Sequence, residues 1–369
     1  MKTRAAVLRE INTPWSVEEI ELDDPREGEI LVKTLAAGMC HSDEHAHDGT
    51  MPVTMPVIGG HEGAGEVIAL GPGVTSFEVG DHISCSFIPS CGKCRWCAEG
   101  LQNLCDLGAH LMEPGMIDGT FRHHDADGNG LTPLLKLGTF SEHMVLSVDS
   151  AIKVQKDVPP GPAALVSCGV TTGYGSAVNR AEVTAGDTVV VGAGGLGHAA
   201  IQGAKVAGAK NVVAVDPSEF KRESAESMGA THSSPSMEEA MALVGGLTEG
   251  VMADSVILTP GVLDGAMIAP AQFLTRKGGT IVATAVANAM QMDVQLNLFE
   301  FAMMNKQLKG CLFGSTAPRK EIPHLLSMYQ AGQLKLDEMI TNTYTLDQVN
   351  EGYDDMLANK NVRGVIMFD

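Results

Sequence analysis

No apolar run in the 369 residues reaches the roughly 18 positions that a membrane-spanning helix requires. Cationic side chains are scarce: 25 Lys and Arg stand against 45 Asp and Glu, a formal net charge of −20. An acidic surface of this kind argues against a nucleic-acid partner, whose phosphates need a basic face, and against docking to anionic lipid. The first ten residues are basic but lead into no long apolar stretch, so a secretory leader is not expected and the cytoplasm is the expected location. Internal repeats, low-complexity tracts and flexible linkers are likewise missing. What remains is an ordinary globular composition, 44% apolar and 19% charged. At about 150 residues per domain, the length implies two or three domains and a large core.

The texture of the chain changes near residue 170. Before it, short apolar runs such as 30–34 and 66–70 are bounded by Gly, Pro and Asp, which reads as β structure. A polar, Gly-rich stretch over 108–138 reads as a surface excursion with a hairpin or two. After residue 170, strands at 187–191, 211–216, 255–258 and 280–283 alternate with helical segments such as 198–207. That alternation implies a doubly wound α/β domain with a parallel sheet. The last 60 or so residues mix a helix over 322–331 with short strands. The expected organisation is a mainly β domain made of 1–169 and 313–369, with a parallel-sheet domain over 170–312.

Four of the eight cysteines, Cys91, Cys94, Cys97 and Cys105, fall in one short loop. Zn²⁺ takes four soft ligands at tetrahedral corners, and three cysteines at a spacing of three let one turn wrap an ion while the fourth closes the shell. A closed shell of four thiolates makes a structural site. An Fe–S cluster and two disulfides are the alternatives, the disulfides suiting a different compartment.

Three further donors are scattered: Cys40, His61 and Cys168. Two thiolates and an imidazole make a three-ligand zinc site with one open position, the arrangement of catalytic zinc. Their separation along the chain makes spacing alone a weak argument, and a lone buried Cys or His more often packs than ligates. Cys85 and Cys311 read as packing residues.

Residues 188–200 fit a strand, a Gly-x-Gly-x-x-Gly turn (Gly192, Gly194 and Gly197) and a helix. The first glycine makes the turn, the second admits a diphosphate close to the backbone, and the third lets helix pack on strand. Gly195 and Leu196 complete the turn. Asp216, 19 residues past Gly197, ends the next strand. A carboxylate there accepts hydrogen bonds from ribose hydroxyls and repels a 2′-phosphate, so NAD is favoured over NADP. Lys221 and Arg222 follow closely enough to soften that preference.

Taken together and in this order, these motifs resemble the zinc-dependent medium-chain alcohol dehydrogenase family over nearly the whole chain. Its Gly-His-Glu signature stands as Gly60-His61-Glu62. The resemblance implies a GroES-like, mainly β catalytic domain and a Rossmann domain. It is narrower still to the bacterial nicotinoprotein alcohol dehydrogenases, assayed with nitrosodimethylaniline and associated with mycofactocin, through the segments 40–45, 86–89, 94–97, 102–108 and 312–315. It implies two zinc ions per chain, the catalytic one on Cys40, His61 and Cys168, with Asp43 orienting His61. Glu62 stands beside the metal, a pairing with Arg363 being the plainer reading. His41, Thr172, Lys221 and Arg363 join the glycine turn and Asp216 in holding NAD. The implied reaction is oxidation of a small alcohol to an aldehyde by hydride transfer to NAD. Ser42 takes the hydroxyl proton and passes it through the nicotinamide ribose to His45, which is expected to reach solvent. In the narrower family NAD does not dissociate and an external electron acceptor reoxidises it in place.

The segment after His45 lacks the acidic position of the glutathione-dependent branch, so glutathione adducts are not expected substrates. A homodimer or homotetramer is expected, joined through the sheet edge near 309–313. Alternatives are an ordinary dehydrogenase exchanging NAD and NADH, a formaldehyde dismutase, or a catalytically silent zinc-binding relative. The intact ligand set and Ser42 argue against the last.

Overall fold

The strand Glu29–Gly38 lies at the centre of the first of two compact units. A computed structural model describes every residue, Met1–Asp369. The first unit comprises Met1–Gly169 and Thr316–Asp369, the second Val170–Ser315.

Two β-systems build the first unit. Strands Lys2–Leu8, Ser16–Leu22, His123–His124, Gly130–Pro133 and Val57–Ile58 close into a barrel. Inside it Ala5, Val7, Ile20, Ile58 and Leu131 pack together with almost no exposure. The second system is a seven-stranded sheet. Its order runs Ala151–Val154, His82–Cys85, Glu62–Leu70, Glu29–Gly38, Arg363–Met367 and Ile340–Tyr344, with His143–Ser147 also paired to Glu29–Gly38. The C-terminal strand therefore returns to the N-terminal sheet. Its register sets Val365 opposite Gly38, and on the other side Gly38 faces Glu62.

Residues 108–120 are largely half-buried or exposed, as a surface excursion would be, but 121–138 correct that expectation. The hairpin is present, turning at Asp125, which accepts backbone N–H bonds from Asp127 and Asn129. Its strands, however, are part of the barrel wall. Arg122 and Lys136, 1% and 2% exposed, are buried. The Arg122 guanidinium forks onto both Glu29 carboxylate oxygens at 2.8 Å and also reaches Asp118. Lys136 Nζ donates to the carbonyls of Glu113 and Gly115. A polar composition misleads here because buried charges are tolerated once each is paired.

The second unit is a six-stranded parallel sheet in the order His232–Ser234, Asn211–Val215, Thr188–Gly192, Ala253–Leu258, Thr275–Ala283, Gln307–Gly310. Numbered by sequence this is 3-2-1-4-5-6, the order of dinucleotide-binding folds. Val190, Val213, Val256 and Ile281 from neighbouring strands form its core with Val244, Ala271 and Leu274 from the covering helices. The helix Gly195–Val206 starts three residues before the expected segment because the glycines themselves form its first turn.

Both tryptophans, Trp15 and Trp96, belong to the first unit, so their fluorescence reports its unfolding. Arg122→Ala leaves Glu29 buried without its partner and is expected to lower the unit's stability by about 3 kcal/mol in urea unfolding. Adding Glu29→Gln is expected to recover part of the loss. A single variant within about 0.5 kcal/mol of wild type, the range of ordinary surface changes, contradicts this account.

Candidate active site

Strand register assembles a donor group in the first unit. Cys40 follows the strand Glu29–Gly38 and caps the helix His41–His47. His61 immediately precedes and Glu62 opens the neighbouring strand Glu62–Leu70, and Cys168 ends the loop after the helix Pro160–Leu165. One donor atom from each of Cys40, His61, Glu62 and Cys168 lies within 4.8 Å of all the others. His61, Glu62 and Cys168 are buried and Cys40 is half-buried.

Asp43 orients the imidazole. Its Oδ1 is 3.0 Å from His61 Nδ1 and accepts the Gly60 N–H, while Oδ2 accepts the Cys40 N–H. A carboxylate accepts, so Nδ1 carries the proton and Nε2 presents a lone pair. That Nε2 is buried with no hydrogen-bond partner. An orphaned lone pair between two thiols is what a soft divalent cation satisfies, and a carboxylate behind the imidazole is the usual support of a metal-bound histidine. The electrostatics agree. Burial opposes charge on His61, yet Asp43 and Cys40 raise its pKa well above the usual value: the pocket favours a positive charge. The Cys40 thiol is pulled well below its usual range, mainly by the Cys168 thiol, with His61 and Arg363 adding to it.

Glu62 is buried and pairs with Arg363, as the plainer of its two readings held, while its oxygen also belongs to the donor group. Burial pushes the Glu62 carboxyl up to about 7 against the pull of Arg363. Its Oε1 accepts the Gly169 N–H at 3.1 Å. A Cβ at Gly38 would collide with Glu62, and one at Gly169 with Arg363, so both glycines keep room for this pair.

Around this group, Ser42 Oγ lies 3.8 Å from Cys40 Sγ. His41 and His45 face each other with ring centres 6.4 Å apart. His45 corrects an expectation: instead of reaching solvent it is 2% exposed, and neither ring nitrogen has a partner. Its helix buries Asp43 and Ala46 on one side and His45 on another, so more than one side of it is covered.

The four-cysteine loop closes on itself. Cys91 and Cys97 sulfurs are 4.0 Å apart, those of Cys94 and Cys105 3.9 Å. A tetrahedron with legs of about 2.3 Å has edges of about 3.8 Å, so the spacing fits one zinc ion. It is far too long for disulfides, and all eight cysteines are free. Backbone N–H groups of Cys91, Cys94 and Cys97 point at sulfurs of Cys105, Cys91 and Cys94, stabilising thiolates.

In the second unit the glycine turn joins the strand Thr188–Gly192 to the helix Gly195–Val206. A Cβ on Gly197 would strike the Gly192 carbonyl oxygen. Gly194 begins the helix with no side-chain cap, leaving its first N–H groups for an anion. Asp216 stands just past the strand Asn211–Val215, and its Oδ1 accepts the Ser218 N–H. Arg222 Nη1 donates to the Asp216 carbonyl, and Lys221 is half-buried nearby. Thr172 is buried with its hydroxyl unpartnered. These residues fit a dinucleotide. Thr259 belongs with them although no local pattern marks it: its hydroxyl donates to Gly192 O at 2.8 Å from 67 residues away.

Comparison with known proteins agrees with both halves. Residues 26–156 match the alcohol dehydrogenase GroES-like domain, and residues 195–331 match the zinc-binding dehydrogenase family. Alcohol dehydrogenase B of Mycobacterium tuberculosis is 50% identical over 371 residues, covering 100% of this chain and 99% of its own. The NDMA-dependent alcohol dehydrogenase of Amycolatopsis methanolica is 50% identical over 368 residues with the same coverage. The crystal structure of benzyl alcohol dehydrogenase from Acinetobacter calcoaceticus superposes with a TM-score of 0.91 at 27% identity, covering 100% of each chain. The chain belongs to the zinc-dependent medium-chain alcohol dehydrogenase family, with a GroES-like domain and a Rossmann-like domain.

Proposed function

We propose that this alcohol dehydrogenase oxidises small alcohols to aldehydes with an NAD that stays bound and is reoxidised in place by an external electron acceptor. The observation that carries the chemistry is the unpartnered His61 Nε2 among Cys40, Glu62 and Cys168. The retained cofactor rests on the similarity to the NDMA-dependent relative.

A zinc ion held by Cys40, His61 and Cys168 would supply the Lewis acidity that makes an alcohol hydroxyl easier to deprotonate. NAD supplies the hydride acceptor. The protein's own residues do the rest. Asp43 keeps the proton on His61 Nδ1, so that Nε2 remains a ligand. Ser42 Oγ, beside Cys40, takes the hydroxyl proton as it gives up its own, and His45 holds the proton on a ring nitrogen that nothing else occupies until the external acceptor takes it up. Glu62 balances Arg363 next to the donor group and stands in reserve as a fourth ligand. Cys91, Cys94, Cys97 and Cys105 hold a second, structural zinc. The turn Gly192, Gly194, Gly195, Leu196 and Gly197 carries the diphosphate, and Asp216 the adenosine ribose. Lys221, Thr172, His41 and Arg363 are assigned to NAD by the family resemblance.

We also assign a homodimer or homotetramer. The strand Gln307–Gly310 ends the parallel sheet with an unpaired edge, and Leu308, Leu298, Phe299 and Met303 of the same unit are 39–74% exposed. An open edge next to exposed apolar side chains calls for a covering chain. No helix is long and apolar enough to cross a membrane, and the cytoplasm is the proposed location.

Protein purified without added nucleotide, then denatured, is expected to release close to one NAD plus NADH per chain. It should oxidise alcohols with an artificial acceptor and ignore free NAD. A chain that carries none and regains full activity with added NAD is an exchanging dehydrogenase.

Cys40→Ala is expected to abolish alcohol oxidation while the four-cysteine zinc stays bound; activity at the wild-type level would sink the assignment of the catalytic site. Asp43→Ala is expected to weaken the catalytic zinc by about 10–100-fold. In a chelator titration with metal analysis, one zinc per chain should then leave early and the other on the wild-type schedule. Two zincs leaving together at the wild-type concentration contradict the role given to Asp43.

A further inference from the structure

His198, the residue after the third glycine, has no part in the machinery described so far. It is fully buried in the first turn of the helix Gly195–Val206. Its Nδ1 lies 2.9 Å from the carbonyl oxygen of Gly194, the residue that opens the helix without any capping side chain. The same carbonyl accepts the backbone N–H of His198 at 2.9 Å, so it is held twice by one residue. A carbonyl oxygen only accepts, which puts the ring proton on Nδ1. Nε2 is then a bare lone pair, buried and without a partner. Burial lowers the pKa of the ring, in keeping with a neutral side chain.

The peptide joining Gly194 to Gly195 is planar and trans, so its C=O and N–H point in opposite directions. Pinning the Gly194 carbonyl into the helix therefore aims the Gly195 N–H outward, at the mouth of the turn. Glycine gives this peptide unusual rotational freedom, which would otherwise have to be lost on binding an anion. On the strand side, the Thr259 hydroxyl pins Gly192 O at 2.8 Å. The turn thus has one side-chain clamp on the Gly192 carbonyl and one on the Gly194 carbonyl.

We propose that His198 is a positioning residue for the cofactor: its Nδ1–H clamps the Gly194 carbonyl and preforms the amide cradle for the diphosphate of NAD. This rests on the reading of the glycine turn as the NAD site. The ring touches the backbone and acts through it.

The test uses the full chain with its zinc, freed of nucleotide and titrated with NAD. His198→Leu fills the space without a donor, whereas His198→Asn places an amide N–H close to the position of Nδ1. The leucine variant is expected to bind NAD about tenfold more weakly, the value of one lost hydrogen bond, and the asparagine variant within about threefold of wild type. In the absence of nucleotide, hydrogen–deuterium exchange over residues 193–198 should be faster in the leucine variant and near wild type in the asparagine variant. A leucine variant that binds NAD as wild type does, or an asparagine variant as weak as leucine, overturns the inference. Should the leucine variant not fold, His198→Gln replaces it, its donor lying one bond too far out; equal affinity of the Asn and Gln variants then overturns the inference. Failure of the wild type to bind NAD in the same titration overturns the cofactor reading, whereas tight wild-type binding with an indifferent position 198 overturns this inference alone.

Discussion

A buried set of ionisable donors needs a cation, and the first unit is arranged around that need. Two thiols, an imidazole and a carboxylate converge with Arg363 as the permanent positive charge paired among them. Ionised groups removed from water cost several kcal/mol each unless their charge is met in place. Arg363 meets that of Glu62. The thiolate character of Cys40 and the open Nε2 of His61 are left for a metal. Other features follow from making room for this set. Gly38 and Gly169 have no side chain because Glu62 and Arg363 occupy that space. Asp43 spends its carboxylate on three local donors, which fixes the ligand loop, the start of the helix and the imidazole together.

The second unit meets an opposite problem. The ligand proposed for it is an anion, and its turn leaves backbone N–H groups free instead of burying acceptors. Glycine is required where strand and helix approach, as the Gly192–Gly197 contact shows, yet glycine is the least rigid choice. The side chains of Thr259 and His198 supply the stiffness that the turn lacks. In both units the reactive geometry thus depends on side chains that hold the backbone or an imidazole still from behind.

How far the sequence discloses this depends on the range of each interaction. The four-cysteine loop is legible because all its ligands lie within one turn and its spacing alone satisfies a tetrahedron. The glycine turn is legible because strand, turn, helix and Asp216 follow at fixed offsets. The catalytic donors are not legible from spacing. Cys40 and His61 meet because they flank two strands paired in one register, Cys168 reaches them from the loop after the helix Pro160–Leu165, and Arg363 joins them because the C-terminal strand inserts beside Glu29–Gly38. For these, family resemblance did what spacing could not. The polar stretch over 108–138 misled because composition does not show that Arg122 will find Glu29, 93 residues away. His45 misled because both sides of its short helix are covered, and the covering of the side away from Asp43 comes from tertiary packing that no local pattern records.

The proposed function requires two zinc ions in this chain, one in a closed shell of four thiolates and one on two thiolates and an imidazole with a position left for substrate or water. X-ray absorption at the zinc edge, on protein with its native metal, tests it directly because it averages the two shells. Four sulfurs at one site and two at the other predict a mean of three sulfurs and one nitrogen or oxygen neighbour per zinc. The total zinc content should be two per chain. A shell of four sulfurs alone, with one zinc per chain, would mean that the donors around His61 hold no metal, and would contradict the account.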